Sequence, residues 1–117
     1  MSCYALILFV SITYQTQPPV RKLLIFGPTQ PQYEKQIFLL KQDSAGMAER
    51  DLVVVTVADD QLIRKYRVAP NQFFLILVGK DGGEKLRSVE PVKLDTIFRL
   101  IDSMPMRQTE MRQRKNE

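Results

Sequence analysis

Asp59 and Asp60, taken with Asp81 and Glu84, are the residues of this chain whose types and spacing could do chemistry. Paired carboxylates can act as general acid and base, or offer oxygen ligands to a weakly held Ca²⁺ or Mg²⁺ ion. For Asp59 a plainer role is favoured, that of a helix cap. The chain has no histidine and one cysteine, Cys3. Ser–His and Cys–His nucleophilic catalysis therefore lack their base. Zinc would have to be held by carboxylates alone, which it seldom accepts. No residue is assigned a catalytic or metal-ligating role, and no cofactor is expected.

A second group is Gly79-Lys80-Asp81-Gly82-Gly83 with the charges that follow it. A phosphate loop needs glycines spaced to wrap backbone N–H groups around phosphate, then Lys-Ser or Lys-Thr opening a helix. Here the glycines lead into a strand-like stretch, so a hairpin turn at Asp81-Gly82, with Gly79, Gly82 and Gly83 as structural turn residues, is the expectation. Lys80, Lys85 and Arg87 make a local basic rim, although alternate charges on an edge strand also serve simply to discourage aggregation.

The third group, Met104-Pro105-Met106-Arg107-Gln108-Thr109-Glu110-Met111-Arg112, is the stretch that packing explains least well. Methionine adapts to irregular partner surfaces, and arginine is favoured in interfaces and for binding carboxylate or phosphate. The competing reading is a C-terminal clasp, in which Met104 and Met106 fold back on the core and Arg107 pairs with a nearby acid. The candidate binding residues are thus Lys80, Asp81, Lys85, Arg87, Met106, Arg107, Glu110, Met111 and Arg112.

The elements that must position these groups follow from pattern. At 117 residues and 44% hydrophobic content the chain can bury one core. Lys22–Phe26 is an apolar run ended by Gly27-Pro28, as a buried strand stopping at a loop would be. Tyr33, Ile37 and Leu40 fall at helical spacing and predict a helix over most of Gln32–Ala45. Asp51–Val57, almost wholly β-branched, reads as a central strand buried on both faces. Asp59 caps a short helix with Leu62, Ile63 and Tyr66 inward, and Pro70-Asn71 turns the chain. Phe73–Val78 is a second fully apolar strand. Glu84–Ser88 is its antiparallel partner, with Leu86 inward. Lys93–Ser103 is a helix with Leu94, Ile97, Phe98 and Ile101 on one face, and Pro105 is expected to end it. The order is β-α-β-α-β-β-α, an α/β, thioredoxin-like layout in which a central sheet takes helices on both faces.

Residues 1–17 form a separate, apolar segment. Tyr4–Tyr14 is uncharged and too short to span a bilayer as a helix, which needs about 20 residues. Its length suits a signal-peptide core, though no Lys or Arg precedes it and Ser11-Ile12-Thr13 is only a loose cleavage site. A buried first strand and a retained membrane tether are the alternatives. The domain is taken as 18–112, with a polar tail over 113–117. The formal charge of +4 comes from interspersed acids and bases, without the basic stripe a nucleic-acid site would use. Nucleic acid is therefore not expected as a partner, and no transmembrane span is expected in the mature chain.

Three stretches carry a resemblance: Ala48-Glu49-Arg50-Asp51-Leu52-Val53-Val54, Gly79-Lys80-Asp81-Gly82-Gly83-Glu84-Lys85-Leu86-Arg87, and Ile101-Asp102-Ser103 continuing through Met104–Arg112. Over about Arg21 to Arg112 the chain resembles the DUF4174 family, small bacterial proteins of unknown function. The domain also occurs in extracellular animal proteins of the coiled-coil domain-containing 80 and sushi-repeat type. The resemblance implies a thioredoxin-like architecture without thioredoxin chemistry. Phe26-Gly27-Pro28-Thr29-Gln30 stands where a redox pair would lie, and disulfide exchange needs a thiolate. Where such folds place a cis-proline, this chain has Gln72-Phe73.

The expectation is a non-catalytic domain, exported to periplasm, envelope or medium if residues 1–17 act as a signal and cytoplasmic otherwise. Its partner is an unidentified protein or extracellular polymer. The alternative is a small-ligand binder or carboxylate-dependent enzyme with its site near the 79–87 hairpin.

Overall fold

The computed structural model describes residues 19–116. The readings of Tyr4–Tyr14 as signal, strand or tether lie outside that range. Four strands, β1 (Arg21–Phe26), β2 (Leu52–Val57), β3 (Phe74–Val78) and β4 (Glu84–Ser88), form one sheet in the order β2-β1-β3-β4. β1 and β2 are parallel, while β3 is antiparallel to both β1 and β4. This is a mixed α/β sheet compatible with the expected thioredoxin-like layout.

Alternation along the strands divides the core into two layers, because successive side chains point to opposite faces. Leu23, Ile25, Leu75 and Leu77 face one layer, with Leu40, Met47, Leu94, Ile97 and Ile101 from the helices. Leu24, Phe26, Ile76 and Val78 face the other, where Leu62, Ile63 and Tyr66 cover them. The helices are α1 (Pro31–Leu40), α2 (Ser44–Glu49), α3 (Asp60–Lys65), α4 (Leu94–Asp102) and α5 (Pro105–Lys115).

The structure departs from the sequence reading at four places besides the 79–83 hairpin. Among the described residues β2, expected in the middle, lies at the edge of the sheet, its Val53 and Val54 40% and 38% exposed, and β1 and β3 are the inner strands. The predicted helix over 32–45 is two helices joined by a 3₁₀ turn at Lys41–Asp43. Asp43 divides them by accepting the Gly46 N–H at 2.8 Å, the local bond by which aspartate starts a helix. Pro105, expected only to end α4, also opens α5, since proline's missing N–H costs nothing in a first helical turn. α5 continues to Lys115, so most of the expected polar tail is its exposed last turn.

The 79–83 hairpin is looser than a two-residue turn. Gly82 N–H donates to the Gly79 carbonyl at 3.0 Å and Gly79 N–H to the Gly83 carbonyl at 2.9 Å. Gly82, at φ 82°, takes the left-handed conformation, and Asp81 accepts the Gly83 N–H on its side chain at 2.9 Å. Two local expectations hold. Asp59 caps α3 by accepting the Gln61 N–H, and Leu86 packs inward from β4.

Candidate functional site

α5 is docked mainly by charge. Arg107 and Glu110 lie three residues apart, hence on one helical face, and each enters an ion cluster. Arg107 is 1% exposed. Its Nε and Nη2 donate to Asp102 and Glu49, and its Nη1 donates to the Glu49 carbonyl. Arg50 completes this cluster with a two-pronged contact to Asp102 at 3.0 and 2.9 Å while its guanidinium lies over the Phe98 ring. Arg50 is the chief cause holding the Asp102 carboxyl below the usual carboxylate range, with Arg107 adding to it and burial opposing.

Glu110 enters the second cluster. Arg21, the first residue of β1 and 1% exposed, reaches it through Nη1 and Nη2 at 3.1 and 2.8 Å. Lys80, from the hairpin, contacts Glu110 at 3.2 Å and Asp51 at 2.8 Å. Arg21 foremost, and then Lys80, hold the Glu110 carboxyl below its ordinary range against the opposing effect of burial. Thr109 and Arg112 stay on the exposed side of α5.

Between this cluster, the hairpin and the start of α5 lies a cleft of about 310 Å³. Arg21, Lys80, Lys85 and Asp81 supply its charged wall, and Met104, Pro105 and Met106 its apolar wall. Lys85 bonds Asp81 at 2.9 Å. That bond first, and the Gly83 N–H second, lower the Asp81 pKa. Met104 packs on the core, whereas Met106 is 49% exposed at the rim.

The structure thus gathers Lys80, Asp81, Lys85 and Met106 in one place, with Glu110 directly behind Lys80. It does not bring the other candidates there. Arg87 turns to the Tyr66 carbonyl and to Glu84, Arg107 is buried in the first cluster, and Met111 lies beside Glu49, Arg114 and Lys115. Arg112 contacts Thr109 on the solvent side. Of the clasp reading, Met104 and Arg107 behave as described and Met106 does not. The proposed four-carboxylate grouping is also separated. Asp59 and Asp60 follow Val57, which pairs with Phe26, whereas Asp81 follows Val78, which pairs with Lys22. They stand at opposite ends of the sheet, since the four residues from Lys22 to Phe26 span about 13 Å at about 3.3 Å per residue. Among the described residues no three His, Cys, Asp or Glu side chains gather as a metal site would need.

Sequence reasoning missed Arg21 and Asp51. A charged residue just before an apolar run reads as a strand boundary in water, so Arg21 gave no local sign of burial. The signal lay elsewhere, in the opposite charges of Arg107 and Glu110 on one face of a helix.

An α/β domain with a four-stranded mixed sheet, carrying a cation-lined cleft between hairpin and terminal helix, is the class that fold and site define. Residues 59–110 match the family described as Domain of unknown function (DUF4174). The matched stretch, from the cap of α3 to Glu110, contains the hairpin and most of the cleft. The first part of the expected range, from Arg21 to Ala58, lies outside the match. Comparison with curated proteins gave no match, and neither did comparison with solved structures. Among the described residues no helix is long and apolar enough to cross a membrane.

Proposed function

We propose that this chain is an exported, non-catalytic interaction domain that binds another protein or an extracellular polymer through the hairpin–α5 cleft. The observation that carries the reading is the meeting of Arg21, Lys80 and Lys85 with Met104, Pro105 and Met106 around one open cavity. Such a surface joins apolar contact with charge-assisted hydrogen bonding, the combination that recognition sites use.

The carboxylates support a binding role over catalysis. Asp81, Asp102 and Glu110 are each held below the ordinary range by a cation. A general acid or base working near neutrality needs the opposite shift. Asp59 is engaged as a cap. The loop after β1, Gly27–Gln30, carries no thiol for disulfide exchange. Export rests on the apolar run Tyr4–Tyr14; mass spectrometry of the native N-terminus tests it, and an intact Met1 or Ser2 end excludes cleavage.

Crosslinked partner capture from the native envelope or secreted fraction tests the binding role. It compares the unaltered chain with Lys85→Glu, which reverses a charge in the cleft, and Arg112→Ala, which alters the exposed face of α5. A partner lost with Lys85→Glu and kept with Arg112→Ala is the expected result. Equal capture by all three forms, or turnover of a small substrate by the purified chain, would overturn the proposal.

A further inference from the structure

We infer that the hairpin–α5 cleft binds the C-terminal carboxylate of a polypeptide whose last side chain is apolar. This rests on the cleft's being the contact surface and names what enters it.

Hydrogen-bond donors exceed acceptors around the cleft. Both Glu110 oxygens are taken by Arg21 and Lys80, Asp51 by Lys80, and Asp81 by Lys85 and the Gly83 N–H. An ammonium carries three protons. Lys80 therefore has one beyond its two contacts, and Lys85 has two beyond Asp81. Arg21 Nε is buried without any partner, the one such side-chain atom among the described residues. A buried donor without an acceptor is costly, but this one is sealed behind the cleft wall, so the donors a ligand can meet are the spare protons of Lys80 and Lys85. The start of α5 adds to the excess. Its N-cap, Met104, has no side-chain oxygen, so no side chain caps the N–H groups of Met106 and Arg107 in the first turn. Uncapped helix starts favour anions.

Charge selects the anion. Arg21, Lys80 and Lys85 are matched one for one by Glu110, Asp51 and Asp81, so the spare lysine protons and not a net charge draw the anion, and a second negative charge would find no cation left to meet it. That favours a carboxylate over a phosphate dianion. At about 310 Å³ the cleft is at the small end of ligand pockets, which suits a chain end. Met104, Pro105 and Met106 supply the apolar wall for its last side chain, and methionine adapts its shape readily.

The test is a titration of the full ¹⁵N-labelled chain followed by amide shifts. The probes are acetyl-Ala-Leu with a free carboxylate, its C-terminal amide, hexanoate and inorganic phosphate. The free acid is expected to shift Gly79–Lys85 and Met106–Arg107. The amide should bind at least about tenfold more weakly, as loss of a charge-assisted bond implies. Met106→Glu places a carboxylate of the chain's own in the cleft, at a helix position where acids are favoured. It should abolish the shifts with no fall in melting temperature. Equal binding of acid and amide, or tighter binding of phosphate, would overturn the inference. Hexanoate binding as tightly as the peptide would overturn the assignment to polypeptide ends. If no peptide binds but Lys85→Glu still loses a captured partner, this inference falls and the interaction role stands.

Discussion

Replacing Glu110 by glutamine probes the ion cluster with almost no change of shape. In the native chain Glu110 accepts from Arg21 at 3.1 and 2.8 Å and meets Lys80 at 3.2 Å. The amide keeps one acceptor oxygen, removes the negative charge and turns an NH₂ toward one of two cations. Arg21, 1% exposed, then has no counter-charge, and breaking a buried pair from one side typically costs 3–5 kcal/mol. Glu110 is itself 19% exposed and Lys80 keeps Asp51, so the low end applies, about 3 kcal/mol. For a domain near 100 residues each kcal/mol moves Tm by roughly 4–8 °C, so a fall of about 12–24 °C is expected. The pH dependence has a definite sign. The folded-state pKa of Glu110 is lowered, so its stabilisation is present above the unfolded value of about 4.3 and is lost as pH falls through the folded value. The gap between native chain and Glu110→Gln should therefore be full at pH 7, begin to narrow as pH approaches the unfolded value, and close only below the lowered folded-state value, where the native glutamate is protonated too. Urea unfolding followed by circular dichroism at several pH values measures it. A gap under about 0.5 kcal/mol at pH 7, the range of ordinary surface changes, or one that stays constant to pH 2, would refute the reasoning.

Arg107→Ala should cost about 1–3 kcal/mol, chiefly through the lost bond to the Glu49 carbonyl and lost packing, because Asp102 keeps Arg50 and the Glu49 carboxylate is half-exposed. Hydrogen exchange should show lost protection across α5 before the rest of the chain. Gly27→Ala should be the more harmful of two glycine changes: at φ 71° its new Cβ would lie 2.4 Å from the Gln72 carbonyl oxygen. Gly82→Ala, at φ 82° with nothing within 4 Å of the new Cβ, should cost only the left-handed penalty of about 1–2 kcal/mol. Melting curves rank the two. Gln36→Leu should destabilise by about 1–3 kcal/mol in urea, because Val92 would lose bonds to both its N–H and its carbonyl.

What could be read from the sequence was whatever local pattern determines. The apolar runs Lys22–Phe26 and Phe73–Val78, the inward stripe of α4 and the Asp59 cap all stand as expected. What could not be read was decided by neighbours. The β-branched run of β2 reports strand propensity, which says nothing of whether another strand lies beyond it. Pro105 stops one helix and starts another with the same ring, and only the docking of α5 shows the second role. Gln36 was missed, although a signal for it existed. It lies between Tyr33 and Ile37 on the helix, and a polar residue beside that face suggests a buried bond, here the one that ties down the loop before α4. The site was half legible for a similar reason. Lys80, Asp81 and Lys85 share a hairpin, whereas Arg21 joins them only through pairing at the far end of β1.

Charge docking of α5 has a further consequence, because buried ion pairs are poor sources of net stability but exacting in geometry. A guanidinium meeting a carboxylate on two prongs tolerates little displacement. Replacing such a pair by apolar side chains of similar volume is often neutral or stabilising. Arg21→Met combined with Glu110→Leu should therefore lose far less stability than Glu110→Gln alone, staying within about 1 kcal/mol of the native chain. The cleft should not survive the exchange as well. Its apolar wall is the start of α5, and its position against the hairpin depends on Glu110 meeting both Arg21 and Lys80. A two-pronged contact sets helix rotation and height together, whereas methionine against leucine leaves both free to slide. Amide shifts at Gly79–Lys85 and Met104–Arg107 should move in the double variant while those of β1, β3 and α4 stay in place. Should the double variant instead be as unstable as Glu110→Gln, the pair would be a source of stability in its own right. The argument that it serves position would then fail.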